Sequence, residues 1–357
     1  MAEIETHRFP CHTCGSDLRY APGERHLKCD HCGAVEPLGA LSPWDVQAVE
    51  ELPLREALAG HVPEAAMEIT RVLNCTSCGA QVEFDPNEHA AECPFCASPV
   101  VADTGQHRHI KPRGVLPFTL DNDAGRDALR KWLKGLWFAP NALKEYARSD
   151  HRLQGIYLPF WTFDAQTETP YRGQRGTEYR RTVGSGDKKR TVTEVKWRNV
   201  SGHVSHFFDD VLVPGSRTIP DTHMRRIAQF DLSALEPYQP QFLAGFRAEG
   251  YSIDLAEAQR LGQQEMEQGV RQLIRRDIGG DRQRIDDMRM TLSDESFKHV
   301  LMPVWIAAYR FRGKSYRFVV NARTGAVAGE RPWSPWKIAF AVLIILIIAG
   351  VVALLQS

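Results

Sequence analysis

Cys11-His-Thr-Cys14-Gly15 and Cys29-Asp-His-Cys32-Gly33 stand near the start of the chain, and Cys75-Thr-Ser-Cys78-Gly79 with Cys93-Pro-Phe-Cys96 repeats them further on. In both sets the gap between the two Cys-x2-Cys knuckles has the same length, Gly15 to Lys28 in the first and Gly79 to Glu92 in the second. The match continues outside the cysteines: Leu18 aligns with Val82, Tyr20 with Phe84, Pro22 with Pro86 and Glu24 with Glu88. All eight cysteines of the chain therefore belong to one internal repeat.

Two residues between cysteines let a tight knuckle aim both sulfurs at one tetrahedral ion, and a glycine just after the knuckle, Gly15 or Gly79, relieves the turn. Asp17-Leu-Arg-Tyr-Ala21 alternates polar and apolar residues, Pro22-Gly23 turns the chain, and Arg25-His-Leu-Lys28 returns it. This pattern predicts a β-hairpin with half a zinc site at each end. The gap lies just under the usual range of about 15 to 20 residues, a departure outweighed by its duplication. Cys11, Cys14, Cys29 and Cys32 are the expected ligands of one Zn2+, and Cys75, Cys78, Cys93 and Cys96 of a second. His12, His26 and His31 are near enough to substitute, but four thiolates already complete each shell. A closed shell leaves no position for an activated water, so both ions are expected to be structural. Modules this small have too little core to fold alone, and metal binding would supply the folding free energy.

The 357 residues allow two or three domains, and 43% hydrophobic with 25% charged residues indicates a globular chain. The net charge of zero hides a split: residues 1 to 110 hold 7 Lys+Arg against 17 Asp+Glu, or −10, leaving 37 against 27, or +10, in the rest. Two zinc sites of four thiolates each would make the front more acidic still, and a poor partner for phosphates. The first ten residues lack the apolar run of a secretory signal, so the cysteines are expected to stay in a reducing compartment as metal ligands.

Beyond Lys337 no charge occurs, and Ile338 to Leu355 is an unbroken apolar run. At about 1.5 Å per residue it is just long enough to span a bilayer's hydrocarbon core. Trp333 and Trp336 suit an interfacial belt, and Arg331 and Lys337 mark the preceding side as cytoplasmic. The run lacks the polar stripe of a soluble core helix. The expectation is a single-pass, tail-anchored protein of the cell's inner membrane, with its soluble part facing the cytoplasm.

Between ribbons and tail, Ser42-Pro43-Trp44-Asp45 reads as a helix start, and Gly105 to Pro112 as a polar linker. From Asp121, Ala128, Leu129, Trp132, Leu133 and Leu136 recur at helical spacing, and a second short helix is expected after Pro140 with Leu143, Tyr146 and Ala147. Gly155-Ile-Tyr-Leu-Pro-Phe-Trp161 and Leu301-Met-Pro-Val-Trp305 read as related strands of one sheet, each followed by a basic turn, Tyr171-Arg-Gly173 and Phe311-Arg-Gly313. Asp254-Leu-Ala-Glu257 is a capping box, and Gly279-Gly280 ends the helix it starts. Turns at Gly313 and Thr324-Gly325 close the soluble part as a meander.

The arm from Arg172 to Arg198 carries nine Lys and Arg, with Gly184-Ser-Gly-Asp187 as its turn. It reads as an exposed hairpin, with contact to anionic lipid as the functional alternative and nucleic acid as the other. His203, His206, Asp209 and Asp210 are the one cluster resembling an acid-base or metal set, but in a strand His203 and His206 face opposite sides. No phosphate-binding glycine loop, helicase motor motif or nucleophile elbow occurs, so no enzymatic activity is expected.

The duplicated ribbons, Val115-Leu-Pro-Phe118, Trp132-Leu-Lys-Gly-Leu-Trp-Phe-Ala-Pro140, Ile156-Tyr-Leu-Pro-Phe-Trp-Thr-Phe-Asp164, Phe207-Phe-Asp-Asp-Val-Leu-Val-Pro214 and Leu301-Met-Pro-Val-Trp305 resemble a family of bacterial tail-anchored double zinc-ribbon membrane proteins. Members are described as having transcription-factor-IIB-type ribbons, or likened to the primosomal replication factor Y for its cysteine region. The resemblance implies a role beside phage-shock-type and flotillin-like envelope proteins, as a membrane recruiter. The helicase likeness stops at the cysteine knuckles.

The expected fold is multidomain: a zinc ribbon over 1–40, a helical linker over 41–72, a second ribbon over 73–104, a linker over 105–112, an α+β domain over 113–332 and a transmembrane anchor over 333–357. The expected function is a non-catalytic membrane-anchored adaptor that offers its ribbons to a cytosolic or membrane protein. The rival is a nucleic-acid-binding ribbon protein near the membrane, using its ribbons or its basic arm; the acidic front argues against the ribbons in that role, though not against the arm.

Overall fold

The computed structural model describes residues 9–39, 49–83, 90–101, 106–138, 140, 153–183, 190–311, 314–330 and 334–356. In the first ribbon, β1 (Leu18–Tyr20) pairs antiparallel with β2 (His26–Cys29), and β3 (Val35–Pro37) pairs with β2. Gly23 makes the turn between β1 and β2 at φ 80°. Alternation in the sequence becomes two faces here: Leu18, Tyr20, Leu27 and Cys29 are buried, while Arg19 and Lys28 are exposed. The helix start read at Ser42 lies outside the described residues. The short helix α1 (Leu54–Leu58) follows later in that connection, immediately after Leu52–Pro53 pairs with Ser296 and Phe297 of the central sheet.

The second ribbon is entered by β4 (Met67–Asn74), whose end pairs with β5 (Gln81–Glu83); β6 (Ala90–Glu92) pairs with β7 (Pro99–Val101). The duplication reaches the backbone: Pro10 bridges Asp17 in the first ribbon, and at the matching positions of the second Asn74 pairs with Gln81. The segment read as a linker from 105 to 112 contains a strand, β8 (Gln106–Ile110), paired along Met67–Arg71 of β4. Its polar residues show no apolar period, and only a partner strand distant in sequence makes it a strand.

The central domain begins with α2 (Asn122–Lys134), capped by Asp121, whose side chain accepts from the Ala124 N–H at 2.8 Å. The short helix expected after Pro140 lies outside the described residues. Two long strands follow, β9 (Gln154–Val183) and β10 (Arg190–Pro214), paired from Phe160–Pro214 to Val183–Arg190. The turn read at Gly184 is outside the described residues. Tyr171-Arg-Gly173, expected as a turn, lies in unbroken strand, since β10 on one side and a third strand on the other satisfy its backbone. After α3 (Asp221–Ile227) comes α4 (Leu255–Ile278), whose N-cap Asp254 accepts from the Glu257 N–H at 2.8 Å and which ends at Gly279, φ 62°. Then come β11 (Arg282–Met288), β12 (Thr291–Phe311), β13 (Lys314–Asn321) and β14 (Val327–Gly329). The last three form the expected meander, with Gly325 at φ 72°; its turn at Gly313 lies outside the described residues.

β12 lies antiparallel beside β9, with Leu158 opposite Met302, so the two Pro-x-Trp segments are neighbours in one sheet. Residues 156–165 are buried without interruption. A strand buried on both faces carries a continuous apolar run instead of an alternation. Up to Phe160 the ribbons cover the two faces, and beyond it Trp161, Phe163 and Ala165 pack with Leu255, Ala258 and Met266 of α4. Tyr157, Leu301, Trp305 and Phe318 share a core with Cys11, Leu18, Tyr20 and Leu27 of the first ribbon and Leu129 and Leu133 of α2. Ile156, Leu158, Met302, Val304 and Val319, of opposite parity, share another with Cys75, Val82, Cys93 and Phe95 of the second ribbon and Met224 and Ile227 of α3. Each ribbon closes one side of the same sheet, so its apolar residues belong to a core larger than the module itself.

Opposite Asp164 and Ala165 both neighbouring strands bulge, and Asp210 (φ 53°) and Asp294 (φ 51°) sit in the bulges. One line of irregularity thus crosses three strands and separates the doubly covered sheet from the long arm beyond. Along the arm, α4 lays Val270, Ile274 and Ile278 against Tyr171. The last helix, α5 (Pro335–Gln356), holds a stretch from Trp336 to Leu355 long and apolar enough to cross a membrane, none of it buried.

Candidate metal centres and the charged cluster

Each cysteine quartet converges, its four sulfurs all lying within 4.8 Å of one another. Across the first, Cys11 Sγ is 3.6 Å from Cys32 Sγ and Cys14 Sγ is 3.6 Å from Cys29 Sγ; across the second, Cys75 to Cys96 is 3.6 Å and Cys78 to Cys93 is 3.7 Å. A tetrahedron of sulfurs about 2.3 Å from a central ion has an edge of roughly 3.75 Å, so the quartets have the size of a zinc-thiolate site.

All four knuckles use one hydrogen-bond scheme. The N–H of Cys11, Cys29, Cys75 and Cys93 reaches the carbonyl five positions on (Ser16, Ala34, Ala80, Ser98), and the carbonyl of the same cysteine receives the N–H four positions on. That fourth residue must take positive φ: Gly15, Gly33 and Gly79 do so at 75°, and Ala97 at 53°. Its Cβ would meet nothing at the three glycines, so the requirement there is conformational. Backbone N–H groups also act on the thiols, and that of Ser16, first among the causes, holds Cys14 down to about 6.

The two quartets differ in setting. Cys14 and Cys32 are exposed, whereas three cysteines of the second quartet are buried and Cys78 is half-buried. Behind the second site stands Glu249, 2% exposed, bridged to Val82, accepting from Ser216 Oγ at 2.8 Å and from Thr218, with burial raising its carboxyl to about 7. The histidines considered as substitutes lie outside the quartets: His12 pairs with Glu36 at 2.9 Å and His26 with Glu24 at 2.9 Å.

The His203, His206, Asp209 and Asp210 set does not form a site. His203 pairs with Glu168 at 3.1 Å and His206 packs against Phe208. Asp210 instead joins a cluster that the sequence reading misses. Lys298 Nζ lies 2.9 Å from Glu51 Oε1 and 2.8 Å from Asp210 Oδ1, and the Asp210 N–H donates to Asp164 Oδ1 at 2.6 Å. Burial first, then the hydrogen bond with Glu51, raises Asp164 to about 7. Burial opposes ionisation of Glu51, but hydrogen bonds with Asp164, Ser296 and Lys298 bring it down to about 2. The three carboxylates are close enough to hold a metal, yet the Lys298 ammonium already supplies their cation. Their separation in sequence, from 51 to 298, leaves no local signal; the one hint is an Asp at the bulge, tolerated at positive φ.

The arm presents Arg172, Arg175, Arg180, Arg181, Arg190, Lys196 and Arg198 as exposed side chains. Arg181 faces Glu194 at 3.7 Å, Arg282 reaches Glu178 at 2.7 Å, and Arg284 lies 4.0 Å from the centre of the Trp197 ring. Lys188 and Lys189 are outside the described residues.

Two cysteine tetrads of the zinc-ribbon pattern near the N-terminus, a mixed α/β body and one apolar C-terminal helix define the class of protein. The chain is similar to the uncharacterized protein YdjG of Bacillus subtilis (strain 168), 26% identical over 340 residues that cover 93% of this chain and 92% of the relative. No family model matches the chain, and no solved structure matches it.

Proposed function

We propose that this protein is a non-catalytic, membrane-held adaptor in which two structural zinc ions fix the ribbons and a surface of the first ribbon receives a protein partner. The observation that carries the reading is the pairing of two closed four-sulfur shells with a wholly uncovered apolar helix at the other end of the chain. Four thiolates leave no open coordination position, which suits scaffolding and not hydrolysis. Among the described residues none of the helix's apolar stretch is buried, and a bilayer would cover it, with the body on the cytoplasmic side of the inner membrane.

The ribbons' inner faces are spent on the sheet, so recruitment falls to an outer face. That of the first ribbon carries exposed Asp30, His31, Cys32 and Val35, the last 54% exposed. Crosslinked pull-downs from membranes, comparing the intact chain with D30K/V35E, test this. Loss of protein partners without loss of zinc is the expected result; recovery of the same partners from the variant overturns it. For the arm, the row of exposed arginines favours anionic lipid as a second contact, at about 1 kcal/mol per cation near an anionic surface.

A further inference from the structure

The end of α2 is built for different surroundings from the rest of that helix. Leu129, Leu133 and Leu136 turn inward, whereas Trp137, next in the chain, is 76% exposed. Outside α5 no other described large apolar side chain is so exposed. Around it, Lys131 and Lys134 are exposed in the last turn. An exposed indole flanked by lysines costs solubility in water and is the composition of a membrane interface, where the ring lies among acyl chains and the ammonium groups reach phosphate.

Position supports the same conclusion. The Ser334 N–H donates to the Phe138 carbonyl at 2.9 Å, fastening the start of α5 to this corner. A groove of about 610 Å3 runs between Trp137 and α5, with Trp336 and Lys337 at one end and Phe340, Ala341, Ile344 and Ile345 along its wall. These residues recur every four positions and so form one stripe of the helix. Phe340 to Ile345 lie three to eight positions beyond Lys337, or roughly 5 to 12 Å deeper at about 1.5 Å per residue. The Trp137 ring lines the groove that reaches this depth.

We infer that Trp137 and the end of α2 form a second, non-spanning membrane contact, and that the groove between Trp137 and α5 holds phospholipid acyl chains, with headgroup phosphates beside Lys131, Lys134 and Lys337. The inference rests on the reading that α5 spans a bilayer. The body then meets the membrane at two points, which fixes its orientation where a single tether would leave it free to swivel.

The test uses the full chain reconstituted in phosphatidylcholine and phosphatidylglycerol vesicles. The protein has eight tryptophans, so W137F and W336F variants isolate each signal by difference from wild type. Phenylalanine at an exposed site leaves the fold intact. Lipid brominated at carbons 6 and 7 is expected to remove about half or more of the Trp137 signal, as of the Trp336 signal, while aqueous iodide leaves it nearly unchanged. Quenching of Trp336 with none of Trp137 overturns the second contact alone, whether water or a protein covers the ring. Quenching of neither overturns the spanning helix and the inference together.

Discussion

At the scale of single residues, the knuckles and the Lys298 cluster show how backbone geometry governs chemistry. Three of four knuckles place glycine where φ must be positive, and the fourth uses Ala97. An L side chain there costs about 1 to 2 kcal/mol, partly offset by the greater unfolded freedom of glycine. A97G is therefore expected to stabilise the protein by about 0.5 to 1 kcal/mol in chemical denaturation. Asp164 and Glu51 predict a pH dependence. A carboxyl raised to about 7 in the fold contributes stability present in acid and lost as pH rises through 7; one lowered to about 2 contributes stability present above its ordinary value and lost only as pH falls towards 2. The cluster is thus best satisfied between about pH 4.5 and 7, with Glu51 ionised and Asp164 neutral. With zinc in excess, unfolding free energy is expected to fall between pH 6 and 8.5 by about 1 kcal/mol more in wild type than in D164N, whose amide cannot ionise. Parallel profiles would sink this assignment. The cluster is not legible in the sequence, because its members meet only where β9 runs between two bulged strands.

At the scale of elements, most helices and strands are legible where a local physical rule writes itself into adjacent residues. Asp254 caps a helix through its side-chain oxygen and Gly279 ends it, as their sequence contexts indicate, and Asp121 caps another in the same way. β8 escapes such reading because its polar residues become a strand only against β4. Tyr171 to Gly173 reads as a turn because glycine punctuates loops, yet a strand with partners on both edges absorbs it. α5 is the element whose consequences are largest. A chain ending at Pro332 is expected to be recovered in the soluble fraction after lysis, while the full chain pellets with membranes and resists carbonate extraction; equal partition of both would remove the anchor from the account.

At the scale of the whole molecule, the ribbons are the two lids of one sheet, and metal should be felt far from the sulfurs. Chelation of two zinc ions per chain is expected to raise hydrogen exchange within the ribbons and also at Ile156–Phe160 and Val300–Ile306, whose side chains the ribbons cover on opposite faces. Exchange confined to residues 9–101 would show that the sheet keeps its faces closed without them.

The sequence by itself determined the cysteine quartets, the hairpin between knuckles, the helix caps and the apolar terminus, because each is a rule of short range: ligand spacing, turn geometry, cap chemistry and hydropathy over one helix length. Tertiary structure alone decided that both ribbons dock on a single sheet, that Lys298 gathers Glu51 and Asp210, and that Trp137 stands beside α5. These depend on which buried faces meet, and pairing of faces is settled by the packing of the whole chain, where residues far apart in sequence become neighbours.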